Sequence, residues 1–409
     1  MMLRPRFNAR RSPIEWVVRA ALAAGAAWMG YGAVTQTFAY IIRGKAPERA
    51  HLLAPNDGRI TALLSEQRSG VEATAQERVR ADGTARLALR QDATAVSAAS
   101  TLGINASIQG KDQDARYWFG YAQRLSRRDL RSQLWAIEDA VARNDIPSAL
   151  RHYDIALRTS RIAPDLLFPV LSAAITAPEI RSALIRTLAA RPIWATGFFG
   201  YVAVHGPNPQ ATAQLYKAFR AGNGISDDAR AVVIDRLIVG RHFDDAWALY
   251  AATHPNIDRR RSRDPQFTAN LTAPSTFDWN AMNDGGVSAS IQPTKGGGVA
   301  VFDAPQAVGG MALRQAQMLP PGNYSLQGRS SDVALHTGSK PYWALSCIDG
   351  RLLGQIDLPN STQAGGHFGG RFTVPAGCPL QYLSLILRPN DAIDGVRGQI
   401  DMVRLTPAG

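Results

Sequence analysis

Asp114–Ala122 (DARYWFGYA) and Ser148–Ala156 (SALRHYDIA) repeat one pattern at a distance of 34 residues. In the first, Ala115, Phe119 and Ala122 stand at i, i+4 and i+7, which is one face of a helix. In the second, Ala149, Tyr153 and Ala156 do the same. A third step brings Ala183, Thr187 and Ala190, with Thr in the aromatic position. Further on, Ala246 and Tyr250 of DDAWALYA restore the small-aromatic order. Ahead of the first copy, Leu102-Gly103 suits a tightly packed preceding helix, and Gly110 suits the turn between the two. Small residues let neighbouring helices approach, and the aromatic ring fills the space between successive pairs.

This pattern resembles the tetratricopeptide repeat, over roughly Ala46 to Asn256. It departs from the family after Ala122 and Ala156, where Arg127 and Arg161 stand in place of the frequent closing Pro. The resemblance implies an α-solenoid whose first helices line a groove. Carried over, the groove positions are Arg131, Leu134 and Glu138 in one copy and Asp165, Phe168 and Ser172 in the next. They imply binding of an extended segment of a partner protein; ordinary solvated or inter-helix roles are the competing expectation.

Upstream, Ala20–Ile42 is free of charge over 23 residues. As a helix it is about 34 Å long, enough for a roughly 30 Å hydrocarbon layer. Trp16 and Tyr40 are spaced for the two interfaces, and Arg4, Arg6, Arg10, Arg11 and Arg19 precede the segment. We therefore expect a basic tail at 1–13, a transmembrane anchor at 14–45 and a single pass of the bacterial inner membrane, with the remaining domains in the periplasm. A cleaved signal would end in a small-x-small site, which Phe38–Arg43 (FAYIIR) does not offer. A soluble core helix is the other alternative.

From about Pro265 the helical periods stop, and Gly and Pro mark turns between short strand-like runs: Val299–Phe302, Tyr324–Gln327, Trp343–Ile348, Gly370–Val374, Leu380–Leu387 and Gln399–Leu405. Their spacing predicts a jelly-roll-type β-sandwich over 265–409, after helical repeats at 46–258 and a basic linker at 259–264. Phe277-Asp278-Trp279, Leu319–Leu326 and Gly398–Leu405 together resemble carbohydrate-binding modules, in particular those following tetratricopeptide arrays in envelope and exopolysaccharide proteins. The resemblance implies a glycan- or protein-binding module. Sugar binding needs flat aromatic faces and a few polar groups. Trp279, Tyr342, Trp343, His336 and His367 are the candidate faces, with Asp278 and Arg371 as polar partners, although Trp279 and Trp343 sit in strand-like contexts, where such residues more often belong to the core. Cys347 and Cys378 are the chain's two cysteines. A lone pair fits a disulfide in an oxidising compartment, buried free thiols being the alternative.

The chain of 409 residues carries 45 Lys/Arg against 33 Asp/Glu, net +12. The excess lies before residue 264, and the last third is electrically balanced. Arg124, Arg127, Arg128 and Arg131 form one dense run, and Arg259, Arg260, Arg261 and Arg263 another. Solvated charge is the plainer reading of both, with anionic lipid or acidic glycan as possible counterparts. No base-stacking platform interleaves them, so nucleic acid is not an expected partner. No Gly-x-Ser-x-Gly, His-Glu-x-x-His or Cys-x-x-Cys motif occurs, and the seven His are scattered. No catalytic centre, cofactor or metal is expected. The expected role is a membrane-anchored scaffold that binds protein partners, and glycan, in envelope or exopolysaccharide assembly. The alternative is a membrane-tethered glycan-active enzyme with its site on the sandwich.

Overall fold

The computed structural model describes residues 13–70, 72–219, 224–269, 271–334, 339–391 and 393–408. Arg4, Arg6, Arg10, Arg11 and His336 lie outside these residues. Among the described residues fourteen α-helices precede ten β-strands. The helices are α1 (Pro13–Ile42), α2 (Pro47–Leu53), α3 (Gly58–Arg68), α4 (Ala75–Gln91), α5 (Val96–Ile108), α6 (Asp112–Leu125), α7 (Leu130–Ala142), α8 (Ile146–Thr159), α9 (Ala163–Ala174), α10 (Pro178–Ala189), α11 (Ala195–His205), α12 (Pro209–Lys217), α13 (Asp227–Val239) and α14 (Phe243–Ala251). The chain forms two compact units, Met1–Ala163 and Pro164–Gly409. The division falls inside the helical region, so α10–α14 share a unit with the strands.

In the first unit, α1 is long and apolar enough to cross a membrane, with a mean hydropathy of 1.3 over its apolar window. That window is 0% buried. Among the described residues the end of the helix meets protein, where Ala39 packs with Ala50, Ala54 and Ile60. A signal sequence has the same length and composition, so the helix by itself establishes an apolar N-terminal segment and no topology.

Helices α3 and α4, α5 and α6, and α7 and α8 pack in successive pairs, and α5 also meets α3 and α7. The pairs form where local chemistry starts and stops them. Thr74 and Glu77 make a reciprocal capping box at the head of α4. Asp129 and Asp145 accept from Ser132 N and Ser148 N at the heads of α7 and α8. The repeated face is the buried one: Ala115, Phe119 and Ala122 are each 0% exposed, and Ala149, Tyr153 and Ala156 are at most 7%. A Cβ on Gly103 of α5 would lie 2.9 Å from the Phe119 ring, so glycine permits the α5–α6 approach. In the third copy the buried stripe of α10 is Ala183, Leu184 and Leu188, while Ala190 is the exposed C-cap. With Thr in the aromatic position, the leucines take over the packing.

The strands form two five-stranded antiparallel sheets. One has the order β1 (Asn280–Ala281), β4 (Gly310–Gln317), β9 (Gln381–Leu387), β6 (Tyr342–Cys347), β7 (Leu352–Asp357). The other runs β2 (Ser288–Thr294), β3 (Gly297–Ala304), β10 (Val396–Pro407), β5 (Gly322–Ser331), β8 (His367–Val374). Alternate residues of both point inward to one core that includes Trp279, Phe302, Leu326, Trp343, Phe372 and Leu383. Cys347 and Cys378 are disulfide-bonded across a sequence separation of 31 residues. Loop-closure entropy for that length gives about 3–4 kcal/mol. Reduction, or replacement of both cysteines by Ser, is expected to lower the denaturation midpoint of the strand-rich unit accordingly; an unchanged midpoint with and without reductant would refute it.

The basic run before the sandwich departs from the expected solvated linker at its end. Arg263 is 7% exposed, and Ser262 bonds β10 through Leu405 in both directions. Arg263 Nε and Nη2 donate to the Phe277 carbonyl at 3.0 and 2.8 Å. Its Nη1 donates to Gln317 Oε1 at 3.1 Å, and Nη2 also meets the Ala316 carbonyl. The guanidinium lies 5.5, 6.0 and 5.6 Å from the ring centres of Trp247, Tyr250 and Phe277. Burial pulls it down to about 10, which leaves it charged at neutral pH.

Candidate ligand-binding face of the sandwich

The strand carrying β10 explains where polar groups collect. Along it, Arg397, Gln399 and then Arg404 point out of the sandwich, while Val396, Ile400, Val403 and Leu405 are buried. The alternation is broken by a bulge: Ile400 opposes Ser330 and Met402 opposes Arg329, leaving Asp401 as the extra residue. Bulges re-aim side chains. Here the bulge brings the Asp401 carboxylate within reach of Arg329 Nε, at 3.2 Å, and Ser331 Oγ, at 3.0 Å. With neighbouring strands and turns these groups line a concave pocket of about 1100 Å³. Its polar lining includes Asp303, Arg329, Ser331, Asp332, Arg397 and Gln399. Asp303 and Arg397 are cross-strand partners, as are Gln399 and Ser331. Phe302 contributes to the wall, but its ring belongs to the core at 1% exposure.

The residues expected from sequence to bind glycan are dispersed. His367 and Arg371 are exposed on β8. Cross-strand pairing of His367 with Arg329 and of Arg371 with Ser325 puts both on the outer face that holds the pocket. Trp279 and Trp343 are 4% and 0% exposed, with ring centres 5.8 Å apart in the core. They cannot offer a ring to sugar, because inward pleat positions buried them. Asp278 is occupied structurally: Tyr250 Oη donates to it at 2.7 Å, and Ser275 N and Oγ donate at 2.9 and 2.7 Å. Burial holds the Tyr250 phenol well above its usual range, so it remains a donor. Tyr342 lies in the other sheet, with the Arg388 guanidinium 4.3 Å from its ring centre. His336 falls outside the described residues.

The six groove positions divide between the two units. Arg131 is ion-paired with Glu66 at 2.8 Å and also reaches Asp129 at 3.7 Å, while Leu134 is half-buried and Glu138 exposed. Asp165 is exposed, but Phe168 and Ser172 are 7% and 2% exposed. Phe168 packs against Trp194, Phe198 and Tyr201. It is a core residue of its unit, so it does not line a groove. Among the described residues no group of three or more His, Cys, Asp or Glu could hold a metal ion.

Sequence reading missed Asp303, Arg329, Arg397, Gln399 and Asp401. Polar alternation in Val396–Leu405 was the available signal, but it marks an outward face without showing which strands surround it.

No family model matches the chain, and no curated protein matches it. Among solved structures, similarity is found to TmCBM61, a carbohydrate-binding module in complex with β-1,4-galactotriose, at 15% identity and a TM-score of 0.26, covering 36% of this chain and 97% of that one. The enzymatically active domain of bacteriophage CBA120 tailspike protein 4 matches at 10% identity and 0.23, covering 32% of this chain and 19% of that one. The Glycosylation Associate Protein (Gap123) complex from Streptococcus agalactiae matches at 14% and 0.21, covering 32% and 44%. The chain thus spans less than half the length of the last two. Likeness at this level says nothing about ligand or partner.

Proposed function

We propose that this chain is a membrane-anchored scaffold of the bacterial envelope, facing the periplasm. Its helical pairs, read as tetratricopeptide-like repeats, dock a protein of a polysaccharide or envelope assembly, and its sandwich holds glycan. The observation that supports the glycan function is the convergence of charged and polar side chains on the pocket of about 1100 Å³ on the outer face of β3, β10 and β5. Carboxylates, guanidinium groups and a carboxamide in one concave surface suit the donor-acceptor pattern of sugar hydroxyls. Asp401, preset by Arg329 and Ser331, costs little to order when a ligand arrives.

The test is affinity electrophoresis of the full chain in detergent micelles through gels containing polysaccharide extracted from the native envelope. Retardation is expected for the native chain. Combined Asp303→Asn and Arg397→Gln substitutions are expected to weaken it by at least about tenfold, since hydrogen bonds to charged groups contribute roughly 1.5–3 kcal/mol each. Unretarded migration of the native chain would remove the glycan-binding role.

A second reading, a glycan-active enzyme, draws on the three carboxylates Asp303, Asp332 and Asp401 around the same pocket. Paired carboxylates are what glycoside hydrolysis requires. Product analysis on the retained polysaccharide separates the readings. Turnover lost in Asp303→Asn would establish the enzyme.

A further inference from the structure

We infer that the glycan bound by this face is carboxylate-bearing, gripped by arginines instead of stacked on aromatic rings. The inference rests on the glycan-binding reading and adds the chemical class of the sugar.

Two features of the sheet carry it. The first is what the outer face lacks. Tyr324, Phe302, Phe368 and Phe372 of β5, β3 and β8 are 3%, 1%, 7% and 1% exposed, all turned to the core. Among the described outward residues of this sheet there is no Phe, Tyr or Trp, and the imidazole of His367 is the one ring, so a neutral pyranose finds little flat surface to stack on.

The second is the charge pattern beyond the pocket. Register places Arg404, Gln327 and Gly369 in one row across β10, β5 and β8. Arg371 stands two residues from Gly369 on the same face, and His367 two residues to its other side. Strand spacing puts Arg404 and Arg371 on the order of 12 Å apart, with Gln327 and Gly369 between them. At Gly369 that row is backbone, where a Cβ would sit 3.1 Å from the Leu326 carbonyl, and beside it the exposed Gln327 side chain adds a carboxamide. Arg329 is already neutralised by Asp401. Among the described residues, no carboxylate lies within 4 Å of Arg371, Arg397 or Arg404. This half of the face therefore offers two exposed guanidinium forks on either side of Gln327 and Gly369, and the carboxylates Asp303 and Asp332 belong to the pocket at its other end. Guanidinium matches carboxylate in a bidentate fork, which a neutral sugar cannot reward.

The full chain in detergent micelles is titrated with oligogalacturonate, with the same oligomers after carboxyl reduction to galactose, and with poly-L-glutamate. Oligogalacturonate is expected to bind at least about tenfold more tightly than either of the others. Arg371→Gln and Arg404→Gln are each expected to narrow the gap between acidic and reduced oligomers severalfold, because both side chains are exposed and their loss does not disturb folding. Equal binding of acidic and reduced oligomers would overturn the charge inference while sparing the glycan reading. Poly-L-glutamate binding as tightly as oligogalacturonate would mark an acidic-peptide site and overturn the glycan class. Failure of both sugars, together with failure on native polysaccharide, would remove the proposed function as well.

Discussion

Arg263→Ala is expected to destabilise the unit formed by Pro164–Gly409 by about 3–5 kcal/mol, the range found when a buried hydrogen-bonded charge or a large packed side chain is removed. The guanidinium joins elements far apart in sequence. It bonds the carbonyls of Phe277 and Ala316 and the Gln317 side chain, and it sits among rings from α14 and the first residues of the sandwich. Truncation would leave the Gln317 oxygen and two carbonyls without their donor in a dry site, each costing about 1–3 kcal/mol unless water enters. Arg263→Met tests which part matters. It keeps most of the volume but no donor, so a Met variant nearly as unstable as Ala assigns the loss to unmet acceptors. Urea denaturation followed by tryptophan fluorescence reports on the site directly, since Trp247 lies 5.5 Å from the group. A loss under about 1 kcal/mol in Arg263→Ala would show that the joint does not depend on this residue.

Phe119→Ala is expected to cost the first unit a similar amount, about 3–5 kcal/mol, through a cavity where helices meet. The ring is 0% exposed, lies against Gly103 of α5 and stacks on Trp135 of α7 with centres 4.7 Å apart. It therefore fills the space between successive pairs, and glycine opposite it offers nothing to collapse inward. Far-UV circular dichroism should show the helical transition moving to lower urea, while the strand-rich transition stays in place. Gly103→Leu should act in the same direction by forcing the ring out of its site. If Phe119→Ala leaves the helical midpoint unmoved, the repeat face does not hold the pairs together. By the same logic Phe168→Ala is a core truncation in the other unit, so loss of a partner in that variant would report unfolding and not a groove.

Local patterns determined the helical region. Alanines and aromatics at helical spacing, repeated after 34 residues, foretell both the helix faces and their burial, because amphipathicity is a property of neighbours in sequence. Turn residues around short apolar runs likewise foretell a sandwich, and the lone cysteines are joined in the disulfide considered from composition. The choice between core and surface for individual aromatics could not be read this way. From sequence Trp279 and Trp343 suit either a platform or, more often, the core, and they are core; the choice depends on register set by strands distant in the chain. Arg263 read as part of a solvated run, yet its partners lie 14 to 54 residues away. The pocket is of the same kind. Asp303, Arg329 and Asp401 meet only because β3, β10 and β5 are neighbours and a bulge turns one carboxylate toward the others. Sequence specified which segments are helix or strand, through interactions spanning a few residues. Tertiary structure alone decided which polar groups converge, because that depends on strand order and register over a hundred residues.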